Sequence, residues 1–172
     1  FKVGAQVALI NTNLVGTALA HSIAISGARH AIVGAELLTS FREAPFESVP
    51  ALWVEGEGGN LTSALASASD QSPGKKARAG VTLKDRAFFI YTSSTTGLPK
   101  AANFSHMRML FMMSGFVGAL RPNASDRIYS PLPLYHSTGG VCAVGLAFFA
   151  GGALIIKRRF SVHDFWRDIH AR

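Results

Sequence analysis

The run Thr92, Ser93, Ser94, Thr95, Thr96, Gly97, Leu98, Pro99, Lys100 gathers five hydroxyls, a glycine and a lysine. Hydroxyls and the free N–H groups of a bend can surround phosphate oxygens, and a lysine supplies a mobile cation for the charge that grows on a departing pyrophosphate. A unit-charge pair about 4 Å apart at an effective dielectric near 20 is worth roughly 4 kcal/mol, enough to matter for such a contact. Lys100 is therefore a candidate electrostatic handle. An ordinary Ser/Thr turn after a strand is the competing reading, and the order Gly, Pro, Lys weighs against it. The run is not a Walker A loop, because GxxxxGK[ST] needs a glycine ahead of the loop and Ser or Thr after the lysine, whereas Ala101 follows Lys100. No G-x-S-x-G occurs, so a serine hydrolase would lack its nucleophile elbow, although His136 with Gly139 and Gly140 has a faint likeness to an oxyanion-hole loop.

Such a loop needs a rigid support, and Ala87 to Tyr91, AFFIY, supplies it. This unbroken apolar and aromatic run is what a fully covered strand shows, and it feeds directly into the hydroxyls. Upstream, Gln6 to Ile10 reads as a strand, Asn13 as the start of a helix carrying Leu14, Leu19 and Ile23, Gly27 as its stop, and His30 to Gly34 as a second strand. Pro45 and Pro50 argue for loop ahead of the apolar Ala51 to Val54. Residues 56–84 are rich in Gly, Ser, Ala and charge and are expected as an exposed loop.

Downstream, Met107 to Leu120 predicts an apolar helix closed by Arg121 and Pro122, and Arg127 to Leu132 a strand. Gly139 and Gly140 precede a predicted helix of about three turns, ended by Gly151 and Gly152, and Ala153 to Ile156 reads as the next strand. Ser161 is expected to cap a last helix, with Asp164 at the third helical position as in a capping box. Strands and helices alternating over short connections imply parallel strands and right-handed crossovers. The predicted fold class is α/β, an open, mostly parallel sheet with helices on both faces.

Composition suits that picture. A complete domain of 172 residues would bury roughly 70% of its unfolded-chain surface. With 48% hydrophobic and 16% charged residues, the chain suits a buried parallel sheet or a piece of a larger domain. Phe1 at the start and the helical run FWRDIHAR at the end make a piece the expectation. Phe1 to Ala20 lacks the ordered parts of a secretory signal, so the expected location is the cytoplasm or the cytoplasmic side of a membrane. Cys142 is the only cysteine and reads as a small buried thiol, and no Cys/His cluster has metal-ligand spacing.

The net charge of +7 suits anionic partners: nucleotide phosphates, coenzyme A or a lipid headgroup surface. Lys75, Lys76, Arg78 and Lys157, Arg158, Arg159 have no interleaved aromatics and no nucleic-acid motif, so nucleic acid is not expected and solvated charge is the ordinary reading. The stretch from Ile128 to Ile156 holds no Asp, Glu, Lys or Arg and is long enough for a membrane span. Two prolines, His136 and five glycines interrupt it, which favours a buried strand, helix and strand.

The string FIYTSSTTGLPKAANFSH is similar to the phosphate-loop signature of the adenylate-forming (AMP-binding) superfamily. Two flanking segments, VALINTNLVGTALAHSIAISGARHAIVG and PLPLYHSTGGVCAVGLAFFAGGALIIKRRFSVHDFWRDI, resemble its very-long-chain acyl-CoA synthetase and fatty acid transport protein branch. The likeness covers most of the chain and is weakest from Glu36 to Asp85. It implies that residues 1–172 are part of a large N-terminal adenylation domain, with the small C-terminal domain absent.

The implied chemistry joins a fatty acid to AMP, releases pyrophosphate, and passes the acyl group to coenzyme A. Carried over by position, Thr92, Ser93, Ser94, Thr95, Thr96, Gly97 and Lys100 are the implied ATP phosphate contacts, with Lys100 catalytic. Tyr135 and His136 are the implied acyl and adenylate contacts. By themselves they read as a core aromatic and a structural histidine. ATP, Mg2+ and coenzyme A are the implied cofactors and co-substrates, the magnesium ligand lying outside this chain. The family usually has glycine where this chain has Ser94; a serine there is strained if the position needs a positive φ, and its hydroxyl could equally serve as one more phosphate donor. A membrane-associated fatty acid uptake or binding protein with the same fold and little activity is the alternative.

Overall fold

Ala87 to Tyr91 are five consecutive buried residues, from 0% exposed at Ala87 to 8% at Tyr91, and Thr92 is exposed. The strand that carries them, Arg86–Thr92, therefore leaves its covered part just where the hydroxyl-rich run begins. The structure, a computed structural model, describes residues 3–92 and 97–171. Ser93, Ser94, Thr95 and Thr96 lie outside the described residues.

The chain divides into two compact units, Phe1–Val81 with Ala87–Asn103, and Thr82–Arg86 with Phe104–Arg172. In the first, β1 (Val7–Leu9) is followed by α1 (Gly16–Ser26), β2 (His30–Gly34), a 3-10 turn at Ala35–Leu37, α2 (Leu38–Arg42), β3 (Ala51–Glu55), α3 (Leu61–Ala66), β4 (Arg86–Thr92) and β5 (Lys100–Ser105). Strand β1 runs parallel to β4 with Val7 opposite Phe88 and Leu9 opposite Ile90, and β5 lies on the other side of β4. Strands β2 and β3 form a separate parallel pair, His30 opposite Ala51 through Gly34 opposite Glu55. Leu19, Ala20 and Ile23 of α1 pack with Phe41 and Ala44, against which Leu14, Ala31, Val33 and Leu52 also lie. Burying a large side chain such as Leu, Ile or Phe stabilises by about 1.5–3 kcal/mol, so this cluster fixes α1 firmly.

The second unit holds α4 (His106–Leu120), β6 (Arg127–Ser130), a π-helical turn at Thr138–Ala143, α5 (Val144–Ala150), β7 (Ala153–Ile156) and α6 (Phe165–His170). Strands β6 and β7 pair in parallel, Arg127 opposite Ala153 through Ser130 opposite Ile156. Helix α4 starts cleanly because three of its orphan N–H groups find acceptors: His106 donates to the Asp85 carbonyl at 3.0 Å, Met107 to Leu83 at 2.8 Å and Arg108 to Ser105 Oγ at 3.2 Å. Helix α6 is tied down by Asp168, whose carboxylate takes Lys157 Nζ at 2.8 Å and the Tyr129 hydroxyl at 3.4 Å.

The α/β class and parallel pairing agree with the sequence reading, with several differences. The strands fall into three small sheets instead of one open sheet. Helix α1 starts at Gly16, because Asn11 Oδ1 takes the Asn13 N–H at 2.9 Å and the chain turns there first. Ser161 Oγ accepts the Asp164 N–H at 3.2 Å, as a cap would, yet the helix begins only at Phe165. Strand β5 was not expected. Residues 56–84 carry the short helix α3 and a 3-10 turn at Lys75–Arg78, with mostly exposed side chains. Among the described residues no helix is long and apolar enough to cross a membrane.

Candidate functional site

The loop stem is fastened to α1 on both limbs. On the entering limb, the Tyr91 hydroxyl donates to the Ser22 carbonyl at 2.6 Å, a buried bond between residues 69 apart in sequence. Burial pushes the Tyr91 phenol above its ordinary pKa, with a Ser26 hydrogen bond acting the other way. The hydroxyl thus stays protonated and able to donate through the physiological range.

On the leaving limb, His21 Nε2 lies 3.2 Å from the Pro99 carbonyl. A carbonyl only accepts, so in this contact the histidine carries a hydrogen on Nε2 and donates it. Between the anchors, the exposed Thr92 hydroxyl reaches toward the Lys100 carbonyl at 3.5 Å, the outer limit of a hydrogen bond. Gly97 has φ +96° with open space where a Cβ would stand, a backbone that side-chain-bearing residues rarely adopt. Lys100 is exposed, and among the described residues its ammonium has no hydrogen bond or ion pair. The stem therefore presents an exposed hydroxyl on one limb and an exposed cation on the other, and is tied to one helix by the Tyr91 side chain on the first limb and the His21 side chain on the second.

Tyr135 and His136 belong to the second unit and are described there by themselves. They sit in the turn between β6 and the π-helical turn, with ring centroids 4.7 Å apart, Tyr135 half-buried and His136 exposed. The His136 N–H donates to Pro133 at 3.1 Å and its carbonyl accepts from Gly140 at 2.8 Å. The glycines explain why the turn can fold so tightly. A Cβ on Gly139 would stand 2.5 Å from the Pro133 carbonyl oxygen, and one on Gly140 2.0 Å from that of Leu134. The irregular Thr138–Ala143 turn is of a kind frequent at functional sites. Cys142 within it is buried, and desolvation raises its pKa, so it packs as an inert thiol.

Sequence reasoning missed two supports, the ring of His21 and the hydroxyl of Tyr91. The signals present were a histidine in an otherwise apolar helix and a tyrosine as the last covered residue before the loop. It also missed Ser130, 2% exposed at the end of β6, whose hydroxyl has no partner among the described residues. Among those residues, too, no group of three His, Cys, Asp or Glu could hold a metal ion.

Comparison with known proteins identifies the family over the whole length. The family model for the AMP-binding enzyme matches residues 1–172. Long-chain fatty acid transport protein 1 of Homo sapiens is 35% identical over 182 residues, covering 97% of this chain and 27% of that protein. The medium/long-chain-fatty-acid–CoA ligase FadD6 of Mycobacterium tuberculosis is 33% identical, covering 99% of this chain and 28% of that protein. The chain thus spans about a quarter of the length of these relatives. In structure, the inhibitor-bound N-terminal domain of FACL13 from Mycobacterium tuberculosis superposes with a TM-score of 0.79 at 25% identity, covering 98% of this chain and 42% of that one. A hydroxyl-bearing stem braced beside a covered strand, and a family match over every residue, lead to one assignment: the chain belongs to the AMP-binding enzyme family.

Proposed function

We propose that the whole protein is an AMP-forming ligase that activates long- or very-long-chain fatty acids, and that residues 1–172 are part of its adenylation domain, the small C-terminal domain lying outside them. A fatty acid carboxylate attacks the α-phosphorus of ATP, the bond to the β-phosphate oxygen breaks, and acyl-AMP and pyrophosphate result. The thiol of coenzyme A then attacks the acyl carbonyl and AMP leaves. The observation that carries this reading is the stem: an exposed Thr92 and Lys100 flank the run Ser93 to Thr96, fastened to α1 by Tyr91 and His21.

In this reading Thr92, Ser93, Ser94, Thr95, Thr96 and Gly97 offer donors to the phosphates. Lys100 stabilises the charge on departing pyrophosphate by electrostatics and positioning. Tyr135 and His136 contact the acyl-adenylate. Magnesium accompanies ATP in this reading, its protein ligand lying outside residues 1–172. The protein works in the cytoplasm or against the cytoplasmic side of a membrane.

Fatty-acid-dependent exchange of pyrophosphate into ATP by the whole protein tests the assignment. Lys100→Ala should lower it by about a hundredfold or more, the scale for losing one donor to developing charge. Exchange retained at the wild-type level removes Lys100 from the mechanism.

A second reading, a fatty acid uptake or binding protein with little turnover, is favoured by the name of the human relative, a long-chain fatty acid transport protein. It predicts lipid binding without acyl-CoA formation. Comparing turnover of wild type and Ser94→Gly separates the two, and robust wild-type turnover rejects it.

A further inference from the structure

We propose that His21 is a positioning residue for Lys100: its Nε2–H holds the Pro99 carbonyl and thereby sets the lysine's backbone before nucleotide binds. The proposal rests on the reading of Lys100 as a phosphate contact. The Pro99 carbonyl and the Lys100 N–H belong to one planar peptide and point in opposite directions, so fixing the first fixes the second.

From Lys100 onward the chain pairs with β4 as strand β5, but ahead of it, from Gly97 to Pro99, little else holds this limb among the described residues. Gly97 has no neighbour within 4 Å of where a Cβ would stand, Leu98 is 40% exposed, and the Thr92 contact to the Lys100 carbonyl is stretched to 3.5 Å. The Pro99 ring restricts its own φ but supplies no donor. The helix behind the histidine is, by contrast, packed into the core: Leu19, Ala20 and Ile23 are each 8% exposed, and Ser22, next to His21, is fully buried. His21 therefore carries the rigidity of that core across 78 residues of sequence to the peptide that begins the lysine. Each conformation of this limb that the bond excludes is one that ATP would otherwise have to select against, so losing the bond weakens nucleotide binding.

The test uses the whole protein, with ATP affinity measured by calorimetry for wild type, His21→Ala, His21→Gln, Lys100→Ala and the His21→Ala/Lys100→Ala pair. One net hydrogen bond corresponds to about a two- to tenfold change in equilibrium. His21→Ala should weaken ATP binding within that range while the unfolding midpoint moves by only a few degrees. His21→Gln, whose amide nitrogen reaches about as far as Nε2, should recover most of the loss. In the Lys100→Ala background, His21→Ala should add nothing, because the ammonium it positions is gone.

Wild-type affinity in His21→Ala, or a penalty that persists in full without Lys100, overturns the proposal while leaving the role of Lys100 intact. Wild-type affinity in Lys100→Ala overturns the reading of the lysine and, with it, this one.

Discussion

The stem at Tyr91 to Lys100 and the turn at Pro133 to Gly140 are both short connections leaving a strand, yet they are held by different physics. The stem is held by side-chain bonds to a distant helix, from the Tyr91 hydroxyl to the Ser22 carbonyl and from the His21 ring to the Pro99 carbonyl. The turn is held by its own backbone, with Gly139 and Gly140 pressed against the carbonyls of Pro133 and Leu134. Side-chain anchoring weakens in steps as donors are removed, whereas backbone contact tolerates no added atom. The first region should respond to substitution gradually and the second abruptly.

Gly140→Ala should have the largest effect. Its new Cβ would lie 2.0 Å from a backbone oxygen, so the turn must rearrange, with a loss of about 3 kcal/mol or more by chemical denaturation of the whole protein. Gly97→Ala offers the matched contrast, since there the space is open and only the φ of +96° resists a side chain. A loss of about 1–2 kcal/mol is expected, and a larger one would mean that Gly97 is packed in a way its surroundings do not show.

Tyr91→Phe removes one buried donor and should destabilise by about 1–2 kcal/mol. Its pH dependence sharpens the point. Because the folded-state pKa of Tyr91 is raised, its contribution is fully present below the unfolded value of 10.0 and is lost as pH rises through the higher folded value. Wild type should therefore lose more stability than Tyr91→Phe as pH rises from 9 through 11 (about one unit either side of an ordinary phenol). Equal slopes would mean that the hydroxyl is not buried. Thr92→Val should have the smallest effect on stability, below about 0.5 kcal/mol, since it deletes a stretched contact at an exposed position.

What could be read from the sequence was whatever local composition determines. AFFIY requires a covered strand, and its five residues are the most continuously buried run of the first unit. The apolar helix after the loop lies within one residue of its predicted bounds, because Arg121 adopts φ 48° and ends it ahead of Pro122. What could not be read depends on distant partners. KAANFS has no alternation that would mark β5 as a strand, and its place beside β4 is a tertiary fact. The competition of Asn11 for the Asn13 N–H delays α1, and nothing in residue type predicts which of two asparagines turns the chain. His21 stood inside a recognisable string, but its role appears only when Pro99, 78 residues later, is brought alongside.

Helix α1 touches the two ends of the bend through consecutive residues, Ser22 and His21. The spacing of the limbs is consequently braced by a helix that lies outside the hydroxyl-rich run itself. Within such a frame the mounting and the residues it carries can change separately, as a lock keeps its keyway while its pins are changed. Diversification of nucleotide handling can then proceed without redesign of the mounting.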